Sequence, residues 1–202
     1  MVIYNVHPEN PQKRYLDSTV HILKNEGGIA VYPTDTVYGM GCCVSNPKAI
    51  DKISKIMNKN KDFLFSFICS DFTQISDYVR LSNAHFKLMK RYLPGPFTFI
   101  LPATNLVPKK VNPKRKTVGV RIPDCKVVLK LIELLNEPLA NTSINIPDDM
   151  RGNPEIIRPA VLNEVDVMLD IGLLGDPTGS TIIDLTGDTP FVVRQGKGVW
   201  KE

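Results

Sequence analysis

Four polar segments interrupt otherwise apolar stretches of this sequence, and each holds side chains that could bind a ligand. The first, residues 33–39, follows an apolar run and combines the hydroxyls of Thr34 and Tyr38 with a carboxylate. Open α/β sheets bind ligands at the carboxyl ends of their strands, so both residues are candidates for ligand binding. An Asx-type turn explains the same residues equally well.

The second segment, residues 117–122, alternates apolar and polar side chains, which predicts a half-buried strand. Thr117, Gly119 and Arg121 share its polar face, and the glycine leaves space beside the guanidinium. A guanidinium binds a carboxylate or a phosphate through paired hydrogen bonds, so we expect an anionic ligand at Arg121. The alternative is an arginine that faces solvent on a half-exposed sheet.

Two further segments carry amide, hydroxyl and basic groups. In residues 141–145, Ser143 and Asn145 fall on one face of a predicted strand, where a hydroxyl and an amide can hold phosphate oxygens or the backbone groups of an amino acid. Ser180 begins another predicted strand, and Arg194 lies close to two glycines that permit close approach to a phosphate. A plain basic turn also explains the pattern around Arg194.

The usual nucleophilic motifs are missing from the sequence. It contains no Ser-His-Asp order, no GxSxG segment, no Walker A pattern and no paired-carboxylate motif. The candidate site is therefore rich in cations and hydroxyls and poor in nucleophiles. Such a site fits ligand binding, or a reaction in which the substrates supply the nucleophile while the protein supplies position and charge stabilisation.

Helical periodicity and short apolar runs alternate along the chain and predict the elements that position these segments. The predicted helices cover residues 11–26, 47–58, 82–93, 126–136 and 154–163. The predicted strands cover residues 29–32, 63–69, 97–101, 117–122, 139–145, 165–171, 181–185 and 191–194. Alternating helices and strands favour an α/β fold, and the strand-rich C-terminal part favours mixed parallel and antiparallel pairing.

Composition narrows the class of protein. The 202 residues carry a net charge of +4 and are 43% apolar, values typical of a soluble globular chain that forms one domain over residues 1–202. No apolar run approaches the roughly 20 residues that cross a bilayer, so we expect a cytoplasmic protein without a membrane partner. Four cysteines without CxxC spacing and three scattered histidines predict reduced core cysteines and no metal site made by the protein.

Six ordered segments together resemble the YrdC/Sua5/YciO family, whose best-known members are threonylcarbamoyl-AMP synthases. They are residues 33–39, 94–98, 117–123, 141–145, 180–184 and 193–196. The resemblance implies a YrdC/RibB-like α/β fold, in which a twisted, open sheet of mixed parallel and antiparallel strands, flanked by helices, surrounds a large basic cavity.

The resemblance also implies a nucleotidyltransferase reaction. L-Threonine, bicarbonate or CO2, and ATP would give threonylcarbamoyl-AMP and pyrophosphate, the first half of making N6-threonylcarbamoyladenosine in tRNA. Mg²⁺ would enter as the cofactor that shares the charge of ATP. The amine of threonine would capture CO2 and the carbamate oxygen would attack the α-phosphorus, so the protein would need no nucleophile.

Site residues follow from the resemblance by position. Threonine would be bound by Thr34, Tyr38 and Arg121. Charge stabilisation would come from Arg121, Arg194 and Lys59. The ATP-binding residues would be Lys55, Lys59, Thr117, Asn141, Ser143, Asn145, Ser180 and Arg194.

Three departures from the synthase pattern resemble the YciO branch of the family. Met57-Asn58-Lys59 stands where synthases have Lys-x-Arg, residues 65–69 lack a histidine that many synthases carry, and residues 146–152 replace a Ser-Gly loop. Lysines such as Lys55 and Lys59 could substitute for the missing cations. A lysine does not reproduce the paired hydrogen bonds of arginine, so we expect weaker positioning of ATP.

Two other functions remain open from the sequence. A basic run at residues 109–116 and the missing Lys-x-Arg pair fit a non-catalytic or weakly active protein that binds tRNA or double-stranded RNA. A solvated loop is the commoner explanation of such a run. The third possibility is a nucleotide-binding protein that acts on another small amino acid or carbamoyl compound.

Overall fold

The computed structural model describes residues 1–57, 65–111 and 116–201. Ten strands and six helices lie in these ranges. The strands are β1 (Val2–Asn5), β2 (Ala30–Tyr32), β3 (Gly39–Cys43), β4 (Ser66–Ile68), β5 (Phe97–Pro102), β6 (Thr117–Arg121), β7 (Leu139–Ser143), β8 (Val167–Asp170), β9 (Thr181–Asp184) and β10 (Phe191–Arg194). The helices are α1 (Lys13–Lys24), α2 (Pro47–Met57), α3 (Phe72–Tyr78), α4 (Asn83–Met89), α5 (Lys126–Leu135) and α6 (Pro154–Val161).

All ten described strands form one sheet in the order β1-β8-β2-β3-β7-β4-β6-β5-β9-β10. The pairs β1/β8, β8/β2, β4/β6 and β5/β9 are parallel. The pairs β2/β3, β3/β7, β7/β4, β6/β5 and β9/β10 are antiparallel. The prediction of mixed pairing is therefore confirmed.

The sheet buries its two faces unequally. Helices α1 and α5 pack on one face through Leu23 and Leu131, against Ala30 and Tyr32 of β2 and Val167 of β8. The opposite face carries the larger apolar cluster and extends from β2 to β9. Helices α1 and α5 pack over β2, β3 and β8, whereas the same face of β6 and β5 carries polar residues that line a cavity.

Sequence reasoning missed three elements, β1, α3 and β3. The omission of β3 matters most, because residues 33–39 were expected to form only a loop after a strand. In the structure β2 turns back through this segment into β3, and the two strands pair antiparallel from Ala30/Gly41 to Tyr32/Gly39. Two glycines in five residues hide the strand from a propensity-based reading, although all five are buried.

Burial lowers the reactivity of the cysteine thiols. All four cysteines are free, and burial raises the pKa of Cys43 to about 12. They are therefore poor nucleophiles.

None of the helices in the described ranges combines the length and apolarity needed to cross a bilayer.

Two neighbouring helices begin with side-chain caps of different chemistry. Asp71 caps α3 and accepts a hydrogen bond from the backbone N–H of Gln74 at 2.9 Å. Ser82 caps α4 and accepts one from the backbone N–H of His85 at 3.1 Å. Burial raises the pKa of Asp71, but hydrogen bonds from Gln74 and Ser70 outweigh that effect and leave the pKa below its ordinary value.

We predict that Asp71→Ala and Ser82→Ala each lower the free energy of unfolding by about 1 kcal/mol at neutral pH. The folded-state pKa of Asp71 lies below its unfolded value, so its contribution is present above the unfolded pKa and is lost as the pH falls through the folded one. Urea denaturation between neutral and acid pH measures both variants. The cost of Asp71→Ala should shrink in acid while that of Ser82→Ala stays constant; parallel behaviour would contradict the assignment.

Candidate functional site

A cavity of about 520 Å³ opens on the polar face of the sheet. Paired residues on neighbouring strands point to the same side, so the register Asn141/Ser66/Gly119 forms one row across β7, β4 and β6. Loops after β2 and β7 and before β9 close the cavity. The alternation predicted for residues 117–122 is confirmed, because Thr117, Gly119 and Arg121 line the cavity while Val118 and Val120 belong to the buried core, Val118 also bordering the cavity.

Arg121 is the buried cation of this cavity. Its side chain is 6% exposed and forms an ion pair with Asp35, whose side chain is 12% exposed. Nη2 donates to Asp35 Oδ1 at 2.5 Å, and Nη1 donates to Thr36 Oγ1 at 2.9 Å. Two contacts from one loop therefore hold the guanidinium in a single orientation.

The pair keeps unused hydrogen-bonding capacity. Arg121 Nε and Asp35 Oδ2 are buried and have no partner among the described residues. Burial lowers the pKa of Arg121, and the neighbouring charge of Asp35 opposes that effect. A guanidinium remains protonated under these conditions, so Arg121 can offer further N–H groups to a ligand that enters the cavity.

A chain of hydroxyl hydrogen bonds connects Arg121 to the loop after β2. Thr34 Oγ1 donates its proton to the carbonyl of Val37 at 2.6 Å and lies 3.0 Å from Thr36 Oγ1. Because a hydroxyl has one proton, Thr36 must donate to Thr34 while accepting from Arg121. Thr34 also accepts from the backbone N–H groups of Thr36 and Val37 at 3.2 Å. Its hydroxyl is thus fully used inside the loop.

Tyr32 orients Asn141 on the floor of the cavity. Its phenol donates to Asn141 Oδ1 at 2.9 Å, and Asn141 Nδ2 donates to Ser66 Oγ at 3.2 Å. Burial raises the pKa of Tyr32 well above its ordinary value, so the donated proton is retained. Gly39 and Gly41 make room for this contact, since a Cβ would lie 2.4 Å from Asn141 Oδ1 at Gly39 and 2.5 Å from Tyr32 Oη at Gly41.

The C-terminal rim of the cavity is built around Arg194. Nη2 and Nε of Arg194 donate to the carbonyl of Ser180 at 2.8 and 3.2 Å. The Ser180 hydroxyl lies 2.9 Å from Thr98 Oγ1, which ties the rim to β5. Gly196 lets its own backbone lie close to that of Gly179, because a Cβ at Gly196 would lie 2.2 Å from the carbonyl oxygen of Gly179.

An acidic turn completes the described lining. Asp148 and Asp149 begin a 3-10 turn after β7, and Asp148 forms an ion pair with Arg151. The described lining therefore sets three arginines, at 121, 151 and 194, against these two carboxylates, and Asp35 further neutralises Arg121. The cavity is less basic in its described part than the sequence resemblance implied.

The structure brings most of the predicted site residues to one cavity. Seven line it: Thr34, Thr117, Arg121, Asn141, Ser143, Ser180 and Arg194. Asn145 and Lys55 are exposed and lie outside the lining, Asn145 beyond the end of β7 and Lys55 on α2. Lys59, with Lys61, Lys114 and Arg115, lies outside the described residues.

Tyr38 does not reach the cavity, which corrects its placement as a threonine contact. Neighbouring residues of extended backbone point to opposite faces, so Tyr38 turns to the core when Gly39 lines the cavity. Its hydroxyl donates to the carbonyl of Gly172 at 2.7 Å and accepts from the N–H of Ile171 at 3.1 Å. Burial raises the pKa of Tyr38, so the residue acts as a neutral structural phenol.

Sequence reasoning missed the partners of the predicted residues more than the residues themselves. Asp35 and Thr36 stood within the first polar segment, but their contact with Arg121 spans more than 80 positions of sequence. Arg151 and Asp148 lie in residues 146–152, which the sequence marked only as a departure from the family pattern and not as part of the site. Tyr32 gave none, because a tyrosine in an apolar strand predicts a core residue.

We predict strong energetic coupling between Arg121 and Asp35. Arg121→Ala should lower the free energy of unfolding by about 3 kcal/mol or more, because it leaves a buried carboxylate without its partner. In a double-mutant cycle measured by urea denaturation, Arg121→Ala/Asp35→Ala should cost less than the sum of the single variants by at least about 1 kcal/mol.

The exposed pair Lys13–Asp17 on α1, 76% and 48% exposed, is the matched control. Its cycle should give a coupling of at most about 0.5 kcal/mol. Additive costs for Arg121 and Asp35 would show that the buried pair does not stabilise the loop.

Comparisons with known proteins agree with this geometry. The family model Sua5_yciO_yrdC, described as telomere recombination, matches residues 22–196. YciO of Escherichia coli is 39% identical over 199 residues, covering 96% of this chain and 95% of that protein. The threonylcarbamoyl-AMP synthase of Pyrococcus abyssi is 30% identical over 177 residues, covering 85% of this chain and 51% of that protein.

Two solved structures share the fold. The crystal structure of E. coli YciO has a TM-score of 0.91 and 38% identity, covering 98% of both chains. P. abyssi Sua5 complexed with L-threonine has a TM-score of 0.89 and 28% identity, covering 97% of this chain and 58% of that one. The predicted mixed sheet with flanking helices is confirmed by both.

Proposed function

The chain belongs to the Sua5/YciO/YrdC family, and on that premise we propose that its cavity binds L-threonine, bicarbonate and ATP. The reaction forms threonylcarbamoyl-AMP and releases pyrophosphate. The product is the activated group that is transferred to adenosine in tRNA to give N6-threonylcarbamoyladenosine.

One observation carries the proposal: all six of the segments that carry the family resemblance contribute residues to a cavity whose buried cation, Arg121, is fixed in place. Nη1 and Nη2 of Arg121 each donate one described hydrogen bond and keep a second N–H, as binding of an amino-acid carboxylate requires. Support comes from the relatives, since P. abyssi Sua5 is solved with L-threonine and a P. abyssi relative is named threonylcarbamoyl-AMP synthase.

The chemistry needs position and charge stabilisation rather than a protein nucleophile. Bicarbonate takes up a proton and loses water to give CO2. The amine of threonine then forms a C–N bond to CO2 and loses a proton, which gives a carbamate. A carbamate oxygen then attacks the α-phosphorus of ATP while the bond to the β-phosphate oxygen breaks, so pyrophosphate leaves. No cysteine, histidine or lysine belongs to the cavity lining in the described part of the chain, which accords with substrates that supply the nucleophile.

Each group of the cavity has a proposed role. Arg121 binds the carboxylate of threonine. Thr34 shapes the same pocket through its loop, since its hydroxyl is fully used there. Arg194, with Ser180, lies on the side proposed for the phosphates, and Asn141 with Ser143 lies on the strand floor between them.

Mg²⁺ fits this scheme as a companion of ATP. The described residues hold no group of three or more metal-ligating side chains, so they do not form a cage for a resident ion. Mg²⁺ is usually bound through substrate phosphates with at most one or two carboxylates. We therefore propose that it enters on the nucleotide and shares the triphosphate charge with Arg194.

The RNA-binding alternative finds no specific support in the described contacts. Within the basic run, Lys110 is paired with Asp51, and residues 112–115 lie outside the described ranges. Lys109 and Lys116 are exposed, as in an ordinary solvated loop. The catalytic proposal therefore stands first.

We predict that the purified protein releases pyrophosphate from ATP only when L-threonine and bicarbonate are both present. Arg194→Gln should lower kcat/KM by roughly 10- to 100-fold, because a charge-assisted hydrogen bond contributes about 1.5–3 kcal/mol. The kcat/KM of Arg194→Lys should lie between those of the parent and Arg194→Gln, since lysine keeps the charge and lacks the planar guanidinium.

Arg91→Gln is the matched control, because Arg91 is exposed and lies outside the cavity lining. It should keep the parent's kcat/KM. Pyrophosphate release that ignores threonine, or no release with all three substrates, would contradict the proposed reaction.

A further inference from the structure

We propose that Asp148 is a specificity-determining residue, whose carboxylate competes with a phosphate for the guanidinium of Arg151. The inference rests on the proposed function, because it takes the nucleotide to enter the cavity that both residues line. It assigns a task to the acidic turn that replaces the Ser-Gly loop of the synthases.

Arg151 is the fixed member of the pair. Its Nε donates to the carbonyl of Ile144 at 3.0 Å, just beyond the end of β7. Its own carbonyl accepts from the N–H of Tyr38 at 3.0 Å, and its side chain is 21% exposed. The first bond holds the guanidinium and the second holds the backbone of Arg151, so the side chain stays at the cavity wall.

Asp148 is the movable member. Its side chain is 86% exposed, and its described polar contact is the ion pair with Nη1 of Arg151. The turn itself is held by backbone hydrogen bonds, from Met150 to Pro147 at 3.0 Å and from Arg151 to Asp148 at 3.2 Å. The carboxylate can therefore rotate away while the turn stays folded.

A carboxylate and a phosphate compete for the same donors. Both accept short, charge-assisted hydrogen bonds from a guanidinium, and one N–H of Arg151 cannot serve both fully. Asp148 also acts on Arg194: burial lowers the pKa of Arg194, while the charge of Asp148 raises it and that of Arg151 lowers it. The three side chains thus form one electrostatic cluster at the phosphate side of the cavity.

This competition has a cost that grows with the charge of the ligand. A polyphosphate either displaces the carboxylate from Arg151 or binds beside it against charge repulsion, whereas a neutral or zwitterionic ligand meets neither penalty. The cavity is therefore tuned against highly charged anions, and affinity for the triphosphate is lower than its arginines alone would give.

The test is a calorimetric titration of the full chain with ATP and with L-threonine, in EDTA without Mg²⁺. Asp148→Asn should bind ATP roughly two- to fivefold more tightly than the parent, the range expected for one exposed charge pair. Its affinity for L-threonine should not change. The gain should shrink as salt rises, because salt screens the repulsion. Asp148→Glu keeps the charge and should bind ATP as the parent does.

Asp17→Asn on α1 is the matched control, since it removes the same charge outside the cavity lining. If the parent binds ATP and Asp148→Asn binds it no more tightly than Asp17→Asn, the inference is overturned and the proposed function stands. If Asp148→Asn tightens L-threonine as much as ATP, the effect is not competition for phosphate and the inference also fails. If no variant binds ATP, the proposed function fails with it.

Discussion

An arginine buried at the side of a cavity must be neutralised, because an unpaired charge in that position costs several kcal/mol. In this protein the partner of Arg121 is Asp35, and Thr36 adds a second contact from the same loop. The loop after β2 must therefore keep one conformation for the cation to stay inside. That requirement links the short turn between β2 and β3 to the binding surface on β6.

The cavity itself results from uneven cover on one face of the sheet. Helices α1 and α5 bury that face at β2 and β8, where the strands carry apolar side chains. Further along, the same face carries hydroxyls, amides and glycines, and it borders a space of about 520 Å³. The two glycines of β3 leave room for the side chain of Tyr32 to extend from beneath the helices to Asn141. Packing under the helices therefore determines the orientation of the Asn141 amide in the cavity.

Local sequence patterns predicted the features that depend on neighbouring residues, namely most of the strands and the direction of their side chains. The two-residue period of residues 117–122 identified the face of Arg121, and polar segments elsewhere in the chain identified other lining residues such as Asn141 and Arg194. Partners distant in sequence could not be read in this way, and Asp35 is the main example. Tyr38 was misplaced because the strand that begins at Gly39 was not recognised, so the direction of its side chain could not be inferred. Of the expected lysines, Lys55 is exposed outside the cavity lining, and Lys59 lies outside the described residues.

The central claim is that a ligand carboxylate binds a guanidinium that Asp35 and Thr36 hold ready. A crystal structure of the protein with L-threonine and a non-hydrolysable ATP analogue tests it most directly. We expect the threonine carboxylate within hydrogen-bond distance of Arg121, with Asp35 and Thr36 still in contact with the guanidinium and the phosphates on the side of Arg194. A threonine bound elsewhere, or an Arg121 that has left Asp35 to face the core, would contradict the account.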